Sequence, residues 1–153
     1  MDTVVTVTGN LARDPEVSFT ATGAAWCRFT IAATPRFRDK ESGEYRDGDT
    51  LWMRCVAWRQ LAENIAESLT KGSRVVATGR LRPNEWTTDT GEKRTSMELH
   101  VDEIGPSLKW ATATVNKMSR SSLTGDSSAP PKDPFAVREP VGVGAGQPDE
   151  PPF

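Results

Sequence analysis

Between residues 50 and 58 the chain reads TLWMRCVAW, and its alternation sorts the side chains into two sets. Successive residues of a strand face opposite sides. One side would carry Trp52, Arg54, Val56 and Trp58, and the other Leu51, Met53, Cys55 and Ala57. The second set is an ordinary apolar interior. The first puts two tryptophans and an arginine where a small barrel is normally polar, and outward tryptophans ask for something to cover them. Residues 73–82 repeat the pattern, with Arg74, Val76, Thr78, Arg80 and Arg82 outward and Val75, Ala77 and Leu81 inward. Trp86 follows, then Lys93 and Arg94 beyond a turn, while Phe37 sits between Arg36 and Arg38 in a loop. Flat rings stack on bases at ~1–3 kcal/mol each, and guanidinium or ammonium groups neutralise phosphates. Rings interleaved with bases over several strands therefore point to single-stranded nucleic acid.

Each of these residues has a plainer reading. One outward tryptophan can cover a subunit interface, and Trp26 and Trp110 are assigned there. A single strand arginine is more often solvated than in contact with a ligand. It is the combination of Phe37, Trp52, Trp58 and Trp86 with neighbouring arginines that resists this reading.

The elements that must position these residues follow from period and punctuation. Residues 3–9 are rich in Val and Thr and are broken by GNLARDP. Alternation returns over residues 25–35, and a polar stretch containing Gly43 and Gly48 reads as a long hairpin loop before the strand at 50–58. Leu61, Ala62, Ile65, Ala66 and Leu69 recur at helical spacing, and Gly72 ends the helix. A fourth strand begins at residue 73, TTDTGEK turns it into RTSMELHVDEI, and residues 107–115 read as a further short strand. Five or six strands with one short helix between the third and fourth is the layout of an all-β OB-fold, a five-stranded Greek-key barrel, here with an extra C-terminal strand. Periodicity alone leaves other small barrels open.

Composition divides the chain. Of its 11 aromatics, 9 lie in residues 1–118, whereas 7 of its 11 prolines lie in 119–153. The latter stretch cannot bury enough apolar surface to offset its ordering entropy, so a disordered tail is expected after a domain at 1–118. That domain carries 16 basic and 16 acidic residues, so nucleic-acid binding must come from where its charges sit rather than from bulk charge. No leader or membrane span is evident, and a cytoplasmic, nucleoid-associated protein is expected. One histidine and two cysteines leave no metal-site spacing, and neither a metal nor another cofactor is expected. If the hairpin centres near Gly43–Glu44, paired residue numbers sum to about 87. Cys27 and Cys55 are then about five residues apart along the sheet, roughly 17 Å at ~3.4 Å per residue, too far to bridge within one chain. A bridge between subunits stays open.

The motifs VTGNLARDPEVSF, LWMRCVAWRQLAENIAESLTKGSRVVATGRLR, EWTTDTGEKRT and the final DEPPF resemble the bacterial single-stranded DNA-binding proteins. DEIGPSLKWATATVNK resembles their actinobacterial branch, although a phage- or plasmid-encoded member would look the same. The likeness covers about residues 3–117 and the last few, in the family's order and spacing. It implies a homotetramer that wraps single-stranded DNA without sequence specificity and has no catalytic activity. It places the stacking rings at Phe37, Trp52, Trp58 and Trp86, and the basic contacts at Arg54, Lys71, Arg80 and Arg82, with Arg36 and Arg38 beside the loop ring. Two departures stand out. Phe37 occupies a position where many members have Trp, and Asn84-Glu85 replaces two basic residues, which implies a weaker salt dependence there.

The chain closes on QPDEPPF, and an unfolded tail has no core in which to bury a terminal aromatic. After a linker at 119–147, residues 148–153 read as a partner-binding tip. Asp149 and Glu150 steer toward a basic pocket, Pro151 and Pro152 restrict the backbone, and Phe153 anchors. The resemblance makes the partners enzymes of replication, recombination and repair. An enzyme is the competing class, but Asp47 and Asp49 beside Gly48 have no partner in sequence, and no phosphate loop or nucleophile elbow is present. An RNA-binding or adaptor OB-fold protein is the other alternative, since stacking tolerates both polymers.

Overall fold

The computed structural model describes residues 2–119. In chain order these form β1 (Thr3–Leu11), β2 (Glu16–Phe19), β3 (Ala25–Ala33), β4 (Arg36–Arg38), β5 (Tyr45–Asp47), β6 (Leu51–Trp58), α1 (Arg59–Ser68), β7 (Arg74–Thr87) and β8 (Lys93–Pro106). Six strands make one sheet in the order β1-β7-β8-β6-β3-β2, and a β1–β3 pairing at Asn10↔Ala32 and Leu11↔Ile31 closes it. The closed ring is therefore β1, β7, β8, β6 and β3, the five-stranded OB barrel, with β2 added along the edge of β3. Inward alternation supplies Val7, Leu11, Cys27, Phe29, Ile31, Met53, Cys55, Ala57, Val75, Ala77, Leu99 and Val101 as the core.

The helix packs Ala62 and Ile65, with Leu69 just beyond it, into the same core. It has no side-chain cap at Trp58 and no acid in its first turn, so tertiary packing rather than local capping holds it. Strand β6 passes into α1 with no linker. Arg59 absorbs the change of direction at φ 58, a left-handed conformation that non-glycine residues rarely adopt.

Two glycines let backbones approach where the barrel closes. A Cβ on Gly9 would collide with the Ala32 carbonyl oxygen across the β1–β3 contact. A Cβ on Gly79 would collide with the His100 carbonyl oxygen and lie 2.8 Å from the Val101 Cα. Gly79 borders the register shift between β7 and β8, where Thr78 pairs with Glu103 and Gly79 with Val101, leaving Asp102 as the bulged residue.

Several expectations need correction. Residues 107–115 do not form the extra C-terminal strand. Leu108 and Lys109 turn, and residues 111–119 carry no assigned element. A strand exists only where a neighbour completes its hydrogen-bond ladder, and no described residue does so here. The long loop is itself paired, because β4 and β5 form a separate two-stranded ribbon. Strand β2 went unread because EVSF is too short and too exposed to show a pattern. On β6, Val56 is only 3% exposed despite its outward parity, since it lies in register between the longer side chains of Arg28 and His100. Leu51, expected inside, is exposed at the strand's start. The linker and tip, apart from Ser119, lie outside the described residues. No helix among those described is long and apolar enough to cross a membrane.

The cysteine register also differs. Phe29 pairs with Cys55 and Cys27 with Ala57, because Gly43 (φ 71) ends the hairpin turn rather than centring it. The two thiols are thus diagonal neighbours two residues apart, at a spacing of about 7–8 Å, and both are free and buried. Burial, reinforced by the Glu16 charge, pushes Cys27 up to about 11. Burial, reinforced by Glu98, pushes Cys55 up to about 12 against a backbone hydrogen bond at Ile31 that lowers it.

Two predictions follow from this core. Gly79→Ala lowers stability by about 1–3 kcal/mol in urea unfolding, as overpacking against backbone does. The unfolded chain releases its thiol protons near the ordinary value of 9.0 while the folded protein holds them to about 11 and 12. The cysteine contribution is therefore present below pH 9 and is lost as pH rises through that window. Thermal melts from pH 8 to 11 should show a shallower alkaline decline in the Cys27→Ala/Cys55→Ala variant.

Candidate nucleic-acid interface

The outer face of β3, β6, β8 and β7 is organised as rungs set by register. Trp26 pairs with Trp58, their rings 6.3 Å apart and tilted by 36°. On the next outward rung Arg28, Val56, His100 and Arg80 lie side by side. Then come Thr30, Arg54, Glu98 and Arg82, and beyond them Ala32 beside Trp52. Trp52 is 64% exposed and Trp58 46%. Six residue steps along the strand separate them, about 20 Å at ~3.3 Å per step, with the arginine rungs between. The parallel β6–β8 pairing makes this arrangement, because it sets Arg54 beside Glu98 and, through β8, near Arg82.

Two ribbons project from this face. Strand β1 pairs with β7 only as far as Leu81, and β6 meets β8 only from Glu98 onward. Beyond those points β7 and β8 continue as a pair that brings Trp86 (39% exposed) opposite Arg94 and Thr87 opposite Lys93. On the β4–β5 ribbon Phe37 is 52% exposed and lies opposite Arg46, and Arg38 lies opposite Tyr45.

The basic residues differ in how far they are already engaged. Arg80 pairs with Asp102 at 3.0 Å and with Asp2 at 3.9 Å. Arg36 pairs with Asp47 at 3.0 Å, and Arg94 with Glu92 at 3.4 Å. Arg38 Nε donates to the Gly43 carbonyl at 3.1 Å. Among the described residues Arg54, Arg82, Lys71 and Lys93 form no ion pair. A phosphate would have to displace a carboxylate at Arg80, whereas Arg54 and Arg82 are open to one.

The structure thus brings Trp52, Arg54, Trp58, Arg80 and Arg82 onto one face, and Phe37, Trp86, Lys93 and Arg94 onto its two ribbons. Lys71 belongs to none of these strands. Lys71 lies in the turn after α1, where its backbone N–H donates to Asp14 Oδ1 at 2.7 Å. Two residues of this surface went unread. Arg28 stands 5.0 Å from the Trp26 ring centroid and 3.7 Å from Glu98, and Tyr45 is exposed beside Arg38. Trp26, assigned to an interface, packs against Trp58 at the end of the same face. Trp110 is stacked by Arg74 and Lys109, each 4.8 Å from its ring centroid. Among the described residues, no group of three or more His, Cys, Asp or Glu side chains is placed to hold a metal ion.

A model of the single-strand binding protein family matches residues 2–107. The chain belongs to that family. It is 52% identical over 162 residues to the single-stranded DNA-binding protein of Mycolicibacterium smegmatis, covering 99% of this chain and 98% of the relative. With its counterpart in Paenarthrobacter nicotinovorans it shares 48% over 167 residues, with the same coverage of 99% and 98%. The crystal structure of a small single-stranded DNA-binding protein from Streptomyces coelicolor matches with a TM-score of 0.61 and 33% identity, covering 71% of this chain and 96% of that one. Membership of the single-strand binding protein family, including the likeness to its actinobacterial members, agrees with the motifs read from the sequence.

Proposed function

We propose that this protein binds and protects single-stranded DNA without sequence specificity during replication, recombination and repair in the cytoplasm. The observation that carries the reading is the outer face of β6, where exposed Trp52 and Trp58 flank Arg54, with Arg82 near it across β8. Bases stack on the rings while the guanidinium groups hold the intervening phosphates. Phe37 and Tyr45 on one ribbon, and Trp86 with Arg94 and Lys93 on the other, extend the path past the barrel. Family membership and the names of the relatives support the same polymer.

The active form is a homotetramer in this reading. Strand β1 supports self-association, because residues 3–9 pair with β7 on one side only and exposed Val4 lies on this open edge. Residues 1–118 act as the DNA-binding domain and 119–147 as a linker. The tip at 148–153 recruits replication and repair enzymes through Asp149, Glu150, Pro151, Pro152 and Phe153. Chemistry supports that division, since an aromatic preceded by two acids and two prolines suits a basic pocket with an apolar floor.

Tryptophan emission titrated with oligo-dT at low and then high salt should quench strongly with a finite site size. Unchanged emission would overturn the reading. Trp52→Ala and Trp58→Ala should each weaken binding by about 1–3 kcal/mol. Removing Phe153 should abolish partner capture and leave the oligo-dT titration intact or slightly tighter. Loss of both together would sink the proposed division of labour.

A further inference from the structure

A pocket of ≈ 280 Å³ opens on the outer face between the arginine rungs, and its polar lining is Arg13, Arg28, Thr30, Arg54, Asn84 and Glu98. The unusual member is Glu98. It is the buried charged residue of the described domain, 8% exposed, and it lies in register between Arg54 and Arg82. Arg28 Nε lies 3.7 Å and His100 Nε2 3.8 Å from its oxygens. Both distances exceed hydrogen-bond reach, and among the described residues no donor bonds to either carboxylate oxygen. The sealed and unpartnered side-chain atoms of the described residues are those of Arg74, Arg80 and Ser96, so the Glu98 oxygens keep an edge open to the pocket, where a ligand donor can replace water.

The surrounding charge decides which donor fits. Three arginines in the lining exclude a metal or ammonium ion. A phosphate alone would satisfy the arginines and leave Glu98 repelled. The pocket needs a ligand that offers one donor beside acceptors. The pairing edge of cytosine has that order: the 4-amino group donates, and the neighbouring ring nitrogen and carbonyl oxygen accept. Thymine presents a carbonyl where cytosine has the amine. The volume lies below the ~300–1,000 Å³ of sites that enclose whole small molecules, which suits a single base.

We infer that this pocket takes one cytosine of the bound strand, with Glu98 accepting from its 4-amino group while Arg28 and Arg54 donate to its acceptors. Carboxylates read that amine in nucleic-acid recognition generally. The inference rests on the reading that DNA crosses this face, and it adds a local base preference to stacking that is otherwise indifferent to sequence. It also gives Asn84 a place. The residue that interrupts the basic run lines the pocket beside Glu98, where an amide complements a base edge and a second positive charge would not.

The test compares the full chain with Glu98→Gln, using equal-length oligonucleotides of deoxycytidine, of deoxythymidine and of the 2-pyrimidinone nucleoside that lacks only the 4-amino group. Titrations are run at pH 8. Wild type should bind the cytosine strand about ten- to a hundredfold more tightly than the pyrimidinone strand, the worth of one hydrogen bond to a charged group. In Glu98→Gln, whose amide can donate to the thymine carbonyl, the cytosine-to-thymine affinity ratio should fall by a similar factor. Thermal melts establish that the variant is folded. Should it not fold, Glu98→Asp, which withdraws the carboxylate by one methylene, takes its place with the same expectation. Equal binding of cytosine and pyrimidinone strands by wild type overturns the pocket assignment. So does a ratio unchanged by the substitution. In either case strong binding of the thymine strand leaves the single-stranded DNA reading intact, and failure to bind any strand overturns both.

Discussion

Closure of the barrel is the constraint on which the other features depend. Once β1 meets β3 at Asn10 and Leu11, the inward half of every ring strand is committed to a core too narrow for ring stacks or guanidinium groups. The outward half is then free to differ, and in β6 it differs by carrying tryptophan and arginine. The tolerances of closure are tight. Gly9 and Gly79 sit where carbonyl oxygens of the crossing strand occupy the space of a side chain, so their backbones can approach only without a Cβ. The bulge beside Gly79 also turns Asp102 toward Arg80. One local irregularity thus serves both the packing and the electrostatics of the outer face.

Electrostatics on this surface is a matter of pairing rather than of net charge. The domain carries equal numbers of acids and bases, yet its bases are unequally committed. Arg80 and Arg36 hold carboxylates at 3.0 Å, whereas Arg54 and Arg82 hold none and flank a buried one. Exposed ion pairs are weak and exchange readily, so the engaged arginines remain available to phosphates at a modest cost. Glu98 is different because it is buried, and its charge adds to the burial that pushes the neighbouring Cys55 thiol up to about 12. Burial keeps both cysteines protonated, and they serve as packing residues.

The comparison of sequence with structure is most instructive at single positions. The faces of β6 and β7 were legible because alternation of side chains is a local property of extended chain. Trp52, Trp58, Arg54 and Arg82 could therefore be read outward before any neighbour was known. Val56 defeated the same rule, since its burial depends on Arg28 and His100 from two other strands. Strand β2 and the β4–β5 ribbon escaped because short exposed strands have no buried face to mark them. Residues 107–115 have a strand's alternation but lack its hydrogen-bonded neighbour. The hairpin register was misplaced because Gly43, the obvious turn residue, closes the turn instead of centring it. That error spread the cysteines five residues apart where the fold sets them two apart.

By itself the sequence determined the alternation, the helix, the family motifs and the rings and bases that face outward, all properties carried within one element or one stretch of chain. Only the tertiary structure decided which of those residues share a surface. The parallel β6–β8 pairing joins strands separated by the helix and by all of β7, and no local pattern specifies it. That pairing puts Glu98 between Arg54 and Arg82 and opens the pocket beside them. A strand's own residues set which way a side chain points, but what it meets there is set by partners remote in sequence, because hydrogen-bond ladders form between strands and not within them.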